Sequence, residues 1–249
     1  MINIAIDAAK QAGELALKYF KSQPKVSYKA DKSPVTRADL EVEKLIRRII
    51  NRKFPDHGII GEEFGEEKPN AKYKWVIDPI DGTRDFVRKL PYWATFIAVL
   101  ENNNPIVGAA FYPATRDLIS AKKNNGTYLN NKKVRVSSTK KIGEAYMTFG
   151  NINRFIQKGT INHLLNLSKV TRSGRNYGNL NLKLLFEGTI DFDLEPSGAI
   201  YDFATPCILV EEAVGKFTDF KGEKSLTTGN ALLSNSLLHN QVLKILNSG

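Results

Sequence analysis

The sequence has a single cysteine, Cys207, and no long apolar run, and both shortages restrict the class of protein. One cysteine cannot form an intramolecular disulfide, so a small disulfide-stabilised scaffold is excluded. The longest apolar stretch, residues 92–100, is far short of the ~20 residues that a membrane-spanning helix needs. Residues 1–7 contain no basic segment of the kind that begins a secretory signal. We therefore predict a cytoplasmic protein that does not cross a membrane.

Histidine is also scarce. His57, His163 and His239 are scattered along the chain and show no His-Glu-x-x-His spacing, which argues against a zinc hydrolase of that type. No Gly-x-Ser-x-Gly segment is present, so a serine nucleophile on a strand-to-helix elbow is not expected. We predict structural roles for all three histidines.

Acidic residues are fewer than basic residues. The 249 residues include 36 Lys+Arg and 26 Asp+Glu, which gives a net charge of +10. Such a charge can attract nucleic acid or steer a small anion. The densest basic clusters, residues 132–135 and 140–141, come without a zinc-finger, basic-zipper or RNP-type pattern. We expect these clusters to be solvated loops and do not expect a nucleic-acid partner.

Apolar spacing predicts a mixed α/β (α+β) fold. Residues 4–20 and 36–53 have the periodicity of amphipathic helices. Two hairpins are predicted over residues 94–112 and 127–136. After residue 144 the pattern alternates between strand and helix, with helices over 180–187 and 203–213. We divide the chain at residue 143 into an N-terminal part, 1–143, and a C-terminal part, 144–249, within a single compact unit.

Carboxylates occur at three points where a loop follows a strand or precedes a helix. They are Glu62 with Glu63, Asp78 with Asp81, and Asp202. In the second group, Pro79 keeps Asp78 extended and has no backbone N–H to compete for the carboxylates. Two aspartates three positions apart on a tight turn can then converge, and oxygen-only ligands favour Mg²⁺ or Mn²⁺.

Ordinary structural roles explain each group equally well when it is taken alone. The Asp-x-x-Asp-Gly pattern occurs in turns, and Asp78 can cap a helix. Paired glutamates such as Glu62 and Glu63 are usually solvated, and Asp202 is simply explained as the N-cap of the following helix. Thr36 and Asp39 fit a capping box at the start of the second helix.

Taken together, these segments resemble the inositol monophosphatase family of Mg²⁺-dependent, lithium-sensitive phosphatases. Residues 75–83, Trp-Val-Ile-Asp-Pro-Ile-Asp-Gly-Thr, match the family's first signature at nearly every position. Residues 201–204 and 211–215 resemble its second signature. Residues 61–63 and 36–39 fall in the expected order, so the resemblance covers nearly the whole chain. It implies a layered αβαβα sandwich of the sugar-phosphatase type, and commonly a homodimer.

The resemblance also implies roles for individual residues. Two or three Mg²⁺ ions would be bound, with Mn²⁺ as a substitute, and Thr83 paired with Asp39 would orient and help deprotonate the attacking water. Lys32 would lie near the metals. The implied metal ligands are Glu62, Asp78, the carbonyl of Ile80, Asp81 and Asp202; the implied substrate contacts are Gly82, Thr83, Gly174, Arg175, Glu195 and Asp202.

The implied reaction is hydrolysis of a small-molecule phosphate monoester by metal-activated water. Residues 62–65, 90–95 and 174–178 look more like the histidinol-phosphate branch of the family, so histidinol phosphate or inositol monophosphate is the expected substrate. Fructose-1,6-bisphosphatase and nucleotide 3′-phosphatase activities are the alternatives within the superfamily. A basic RNA-binding or regulatory protein is the alternative outside it.

Three positions depart from the family pattern. Asp85 stands where many inositol phosphatases have asparagine, Tyr201 replaces the usual tryptophan, and Val214 replaces a glycine. None of these changes removes an implied metal ligand. They therefore affect the expected substrate and not the expected reaction.

Overall fold

Two amphipathic helices begin the chain. Helix α1 (Ile2–Lys21) buries a stripe of alanines, and α2 (Arg37–Lys53) buries Val42, Ile46 and Ile50 on one face. The predicted capping box is confirmed: Thr36 accepts a hydrogen bond from the Ala38 amide, and Asp39 accepts one from the Thr36 amide. This computed structural model describes residues 1–22, 26–28 and 34–248.

Fifteen strands and six further α-helices complete the described residues, with β1 and β2 lying between α1 and α2. The strands are β1 (Val26–Tyr28), β2 (Pro34–Thr36), β3 (Gly58–Gly61), β4 (Gly65–Glu67), β5 (Tyr73–Asp81), β6 (Ala94–Glu101), β7 (Asn104–Tyr112), β8 (Asp117–Lys122), β9 (Gly126–Leu129), β10 (Lys132–Val134), β11 (Tyr146–Phe149), β12 (Ser173–Arg175), β13 (Phe192–Glu195), β14 (Gly215–Thr218) and β15 (Ala231–Asn235). The helices are α3 (Thr83–Val87), α4 (Ile152–Gln157), α5 (Ile161–Val170), α6 (Asn181–Phe186), α7 (Ile200–Glu212) and α8 (His239–Leu246).

Two sheets stack between three helical layers, as the resemblance implied. The larger sheet has eight strands in the order β10-β9-β8-β7-β6-β5-β3-β4, and the smaller has five in the order β12-β11-β13-β15-β14. Helices α1 and α2 cover one face of the larger sheet. Helices α6 and α7 fill the space between the sheets, and α4, α5 and α8 cover the outer face of the smaller one. The layered αβαβα sandwich is confirmed.

Strand β6 shows why the core divides into layers. Side chains alternate between the two faces of a strand. Ile97 and Val99 therefore pack with α1 and α2, while Ala94 and Phe96 pack on the opposite side with α7. Both faces of this strand are apolar because helices cover both faces of the sheet, which is why its sequence reads as a continuous apolar run.

Most predicted elements form where periodicity placed them, with two differences. The acidic segment after β3 was expected to be a loop, but residues 65–67 return as the edge strand β4. The basic cluster at residues 132–135 was expected to be a solvated loop; most of it instead forms the edge strand β10, which pairs with β9 as the hairpin predicted over residues 127–136. Lys132 and Lys133 are exposed there, as expected of lysines on a sheet edge. In the described parts of the chain, no helix is both long enough and apolar enough to span a membrane.

Val214 lies in a backbone conformation that disfavours it. The residue follows α7 and has φ of +68°, in the left-handed region. Glycine is the usual residue after the last turn of a helix, because a Cβ atom is strained there, and β-branching adds to that strain. The observation explains why the resembled signature has glycine at this position.

We expect Val214→Gly to stabilise the protein by about 1 kcal/mol. Relief of ~1–2 kcal/mol of left-handed strain outweighs the larger conformational entropy that glycine gives the unfolded chain. Urea denaturation measures the change. The matched control is Val170→Gly, because Val170 is an exposed valine at the end of α5 without a positive φ. The control should lose stability, and a loss in both variants would contradict the explanation.

Candidate active site

A bulge at the end of β5 brings Asp78 and Asp81 to the same side of the strand. In a regular strand, residues three apart face opposite sides of the sheet. Here Asp78 pairs with Phe96 and Asp81 with Ala94, so β5 has one residue more than β6 over this interval. The sequence predicted a tight turn, and the structure shows a bulged strand that achieves the same convergence.

Asp202 approaches from the first turn of α7. It was expected to be the N-cap of that helix, but Ala199 occupies the N-cap and Asp202 lies three residues further on. One oxygen, Oδ2, accepts a hydrogen bond of 2.5 Å from the Ala199 amide. Asp78, Asp81 and Asp202 each offer one carboxylate oxygen within 4.8 Å of the others. Three distant segments of sequence therefore meet at one point.

The three carboxylates are a good match for a hard divalent cation. Burial, followed by the charges of Glu62 and the other two aspartates, raises the pKa of Asp78 well above its usual value. Burial and the charge of Asp202 raise the pKa of Asp81 similarly. Asp78 Oδ1 is buried and has no hydrogen-bond partner within the described residues. An unpartnered oxygen among mutually repelling carboxylates is the arrangement that a cation with oxygen ligands stabilises.

Glu62 lies beside this group without belonging to it. It follows β3, and its amide donates a hydrogen bond to the Ile77 carbonyl at 3.2 Å. Its charge contributes to the raised pKa values of both Asp78 and Asp81, so its carboxylate interacts electrostatically with theirs. It is outside the set of three whose oxygens lie within 4.8 Å of one another.

Thr83 and Asp39 are adjacent, as the resemblance implied. The Thr83 hydroxyl lies 3.0 Å from the Ile80 carbonyl and 3.4 Å from Asp39 Oδ1. The other oxygen of Asp39 accepts hydrogen bonds from the amide and hydroxyl of Thr36, both at 2.7 Å. Burial raises the pKa of Asp39 to about 6, although the Thr36 hydrogen bonds oppose the rise. Asp39 is therefore oriented and mainly ionised at neutral pH.

A cleft of about 570 Å³ opens beside the carboxylates. Its lining includes four of the predicted substrate contacts, Gly82, Thr83, Glu195 and Asp202, together with the unusual Asp85. Burial, and then the charges of Asp193, Asp81 and Asp202, raise the pKa of Glu195 well above its usual value. The cleft has the size and the polar lining of a small-molecule site.

Other predicted residues lie elsewhere. Gly174 and Arg175 are on the edge strand β12, outside the residues that line the cleft, and Asn176 is the first residue after this strand to line it. A Cβ atom on Gly174 would meet the Met147 side chain at 2.5 Å, so this glycine serves packing within the smaller sheet. Lys32 falls outside the described residues.

Sequence reasoning missed two asparagines. Asn179 Nδ2 donates to Asp81 Oδ2 at 2.6 Å, and a Cβ atom on Gly82 would lie 2.5 Å from the same nitrogen. Asn181 Nδ2 donates to Asp193 at 2.5 Å and to Glu195 at 3.3 Å. The available signal was the occurrence of three asparagines between residues 176 and 181.

Comparison with known proteins identifies the family of the chain. The family model described as the inositol monophosphatase family matches residues 1–248. The chain belongs to that family. Histidinol-phosphatase from Mycobacterium tuberculosis is 34% identical, covering 99% of this chain and 97% of its own. Fructose-1,6-bisphosphatase/inositol-1-monophosphatase from Thermotoga maritima is 31% identical, covering 99% and 95%. The structure of the Thermotoga maritima IMPase superposes with a TM-score of 0.89 at 31% identity, covering 98% of this chain and 96% of that one.

Membership of the inositol monophosphatase family makes this chain a phosphoric monoester hydrolase. The predicted family and reaction class are thereby confirmed. The acidic centre lies beside a cleft large enough for a small phosphate ester, which fits that activity. His57 and His239 have the structural roles that the sequence predicted: His57 accepts a hydrogen bond from the Trp75 indole, and His239 is buried against Thr218 and Ser234.

We expect Asp81→Asn to melt at a higher temperature than wild type in EDTA, because one of the repelling charges is lost. A gain of about 1 kcal/mol in the free energy of unfolding corresponds to a rise of roughly 2–4 °C in melting temperature for a chain of this length. The new side chain keeps an oxygen for the Asn179 amide. In MgCl2 the wild type should melt at the higher temperature, since a cation present at about 100 times its dissociation constant stabilises the wild type by ~2.7 kcal/mol.

Differential scanning calorimetry in EDTA and in MgCl2 measures both effects. Asp56→Asn is the control, because Asp56 is exposed and far along the chain from the bulge. The control should follow the wild type in both buffers. If the wild type melts at the same temperature with and without Mg²⁺, the cation-site interpretation is contradicted.

Proposed function

We propose that the chain hydrolyses phosphate monoesters of small alcohols with divalent cations held by Asp78, Asp81 and Asp202. The observation that carries the proposal is the meeting of these three carboxylates within 4.8 Å, next to the Thr83–Asp39 pair. Structural ion pairs do not explain the group, since its members have the same charge. Two or three Mg²⁺ ions are the proposed complement, with Mn²⁺ as a substitute, and Glu62 and the Ile80 carbonyl are the proposed additional ligands.

The protein's part in the proposed reaction is to hold the reactants in place. A bound divalent cation lowers the pKa of water and stabilises charge on the leaving oxygen. The amides of Gly82 and Thr83 are the proposed contacts for the phosphate oxygens. Gly82 has φ of +91°, and a Cβ atom there would lie 2.9 Å from the Tyr92 carbonyl, so only glycine allows this backbone path.

Thr83 is the proposed link between the attacking water and Asp39. The Thr83 hydroxyl has one hydrogen and two acceptors within reach, the Ile80 carbonyl at 3.0 Å and Asp39 Oδ1 at 3.4 Å. In the proposed reaction the Ile80 carbonyl is occupied by a cation, so the hydroxyl donates to Asp39 Oδ1 and its oxygen can accept a hydrogen bond from water. Thr36 fixes the other oxygen of Asp39, so Oδ1 stays directed at Thr83. The proton of the attacking water can then move toward Thr83 and Asp39 as the oxygen approaches phosphorus.

Histidinol phosphate is the proposed preferred substrate, with inositol monophosphate second. Two observations support this order. Histidinol-phosphatase from Mycobacterium tuberculosis is among the more similar relatives, at 34% identity. Glu195 places a carboxylate in the cleft, where the ammonium group of an amino-alcohol phosphate can form a charge-assisted hydrogen bond. A homodimer remains a proposal that rests on the family resemblance alone.

We expect Thr83→Ala to lower kcat by about 10²–10⁴-fold, because the link between water and Asp39 is lost. Thr83→Ser keeps the hydroxyl and should retain most of the rate. Steady-state phosphate release at saturating Mg²⁺ measures both variants. Equal losses in the alanine and serine variants would show that the hydroxyl has no role.

We expect phosphate release to be fastest with histidinol phosphate and to stop in EDTA. The comparison substrates are inositol 1-phosphate, fructose 1,6-bisphosphate and adenosine 3′,5′-bisphosphate. Glu195→Gln should reduce kcat/KM more for histidinol phosphate than for inositol 1-phosphate, because only the former carries an ammonium group. Release that continues unchanged in EDTA would refute the cation mechanism, and a uniform effect of Glu195→Gln would refute the amine contact.

A further inference from the structure

A buried ion pair on α2 lies beneath the loop that carries Glu62. Arg47 Nε and Glu43 Oε1 are 2.8 Å apart, and their side chains are only 8% and 0% exposed. The two residues are one helical turn apart and face the β3–β4 hairpin. A pair buried this completely loses its hydration, so it persists only where its remaining hydrogen-bonding atoms have partners.

The partners of Glu43 are backbone amides of the loop. Oε2 accepts a hydrogen bond from the Glu63 amide at 2.7 Å, and Oε1 accepts one from the Phe64 amide at 3.3 Å. These are the first two amides after Glu62. A charged acceptor on a helix therefore fixes the path of the chain immediately beyond that residue.

Arg47 forms hydrogen bonds with the residues that follow the same loop. Its Nη2 donates to the Gly65 carbonyl at 2.5 Å, and its Nη1 donates to Glu67 Oε1 at 2.6 Å. The Phe64 ring covers the guanidinium, with its centre 5.8 Å from the Arg47 Cζ. All three nitrogens of the Arg47 guanidinium thus have acceptors, one on α2 and two on β4.

Gly61 shows how closely the pair approaches the loop. A Cβ atom on Gly61 would lie 1.9 Å from Glu43 Oε1 and 2.7 Å from the Arg47 guanidinium. The absence of a side chain at residue 61 is therefore required for this contact. Gly61, directly before Glu62, therefore allows the ion pair to approach the loop.

The position of Glu62 needs such a restraint. Its amide holds it beside β5 through the Ile77 carbonyl at 3.2 Å, and the charges of Asp78 and Asp81 repel its carboxylate. A loop held only by its own backbone would relieve the repulsion by turning Glu62 toward water. The contacts from α2 to residues 63, 64 and 65 oppose that movement.

We propose that Glu43 and Arg47 are positioning residues that hold Glu62 toward the carboxylate group and so set its affinity for divalent cations. This role rests on the proposed function, in which Glu62 is a ligand. Neither residue touches the substrate or the reacting atoms. Outer contacts that orient metal ligands contribute about 10–100-fold to metal affinity.

The test is Mg²⁺ binding by Glu43→Gln, measured by isothermal titration calorimetry without substrate. We expect the dissociation constant to rise about 10–100-fold. Phosphate release should show the same shift in the Mg²⁺ concentration for half-maximal rate, and most of the lost rate should return when Mg²⁺ is raised. The matched control is Glu14→Gln on α1, whose exposed side chain pairs with Arg116 at 3.2 Å. The control should bind Mg²⁺ as the wild type does.

A second variant separates positioning from folding. In Glu43→Leu/Arg47→Met both buried charges are replaced by apolar groups of similar size, so neither charge is left buried without its partner. Because the amides of residues 63 and 64 lose their acceptor, this variant should melt below the wild type in EDTA but above Glu43→Leu alone, and it should still bind Mg²⁺ at least about tenfold more weakly. Wild-type affinity in either folded variant would overturn the positioning role. Failure of the wild type itself to bind Mg²⁺ would overturn the proposed cation site as well.

Discussion

Mutual repulsion of the active-site carboxylates is the main physical constraint on this structure. Asp78, Asp81 and Asp202 each place one carboxylate oxygen within 4.8 Å of the others, partly or fully removed from water, and the charge of Glu62 adds to their repulsion. Without other forces, side chains in this arrangement would separate or take up protons. Rigid elements hold the aspartates together: a sheet-centre strand holds two of them, and the first turn of a buried helix holds the third.

Helix α7 links the position of Asp202 to the packing of both sheets. It lies between the two sheets, and buried residues along its length pack against both. Its first turn supplies Asp202, so packing between the sheets also fixes the distance from Asp202 to the β5 bulge. Asn179 adds a direct link, because its amide from the C-terminal part holds Asp81 from the N-terminal part. The site therefore depends on correct packing of both sheets.

Much of the fold and part of the site could be predicted from sequence, because the relevant signals are local. Helices α1 and α2 follow from apolar periodicity, and Thr36 with Asp39 forms the predicted capping box. The identities of the acidic residues follow from their motifs. The bulge between Asp78 and Asp81 could not be predicted, because it is defined by pairing with β6, which lies over a dozen residues further along the chain. The contact of Asn179 with Asp81 spans 98 residues, and no local pattern indicates it.

The sequence alone determined the types of residue available: oxygen ligands without histidine or cysteine clusters, a proline that removes a donor, and glycines where the chain must pass closely. It also determined the helical and strand segments, since backbone preference and apolar period are properties of neighbouring residues. Only the tertiary structure decided which carboxylates share a site, that Gly174 and Arg175 lie outside the cleft, and that Glu43 reaches the loop after Glu62. Those relations depend on packing between segments that are distant in sequence, and packing is a property of the folded chain as a whole.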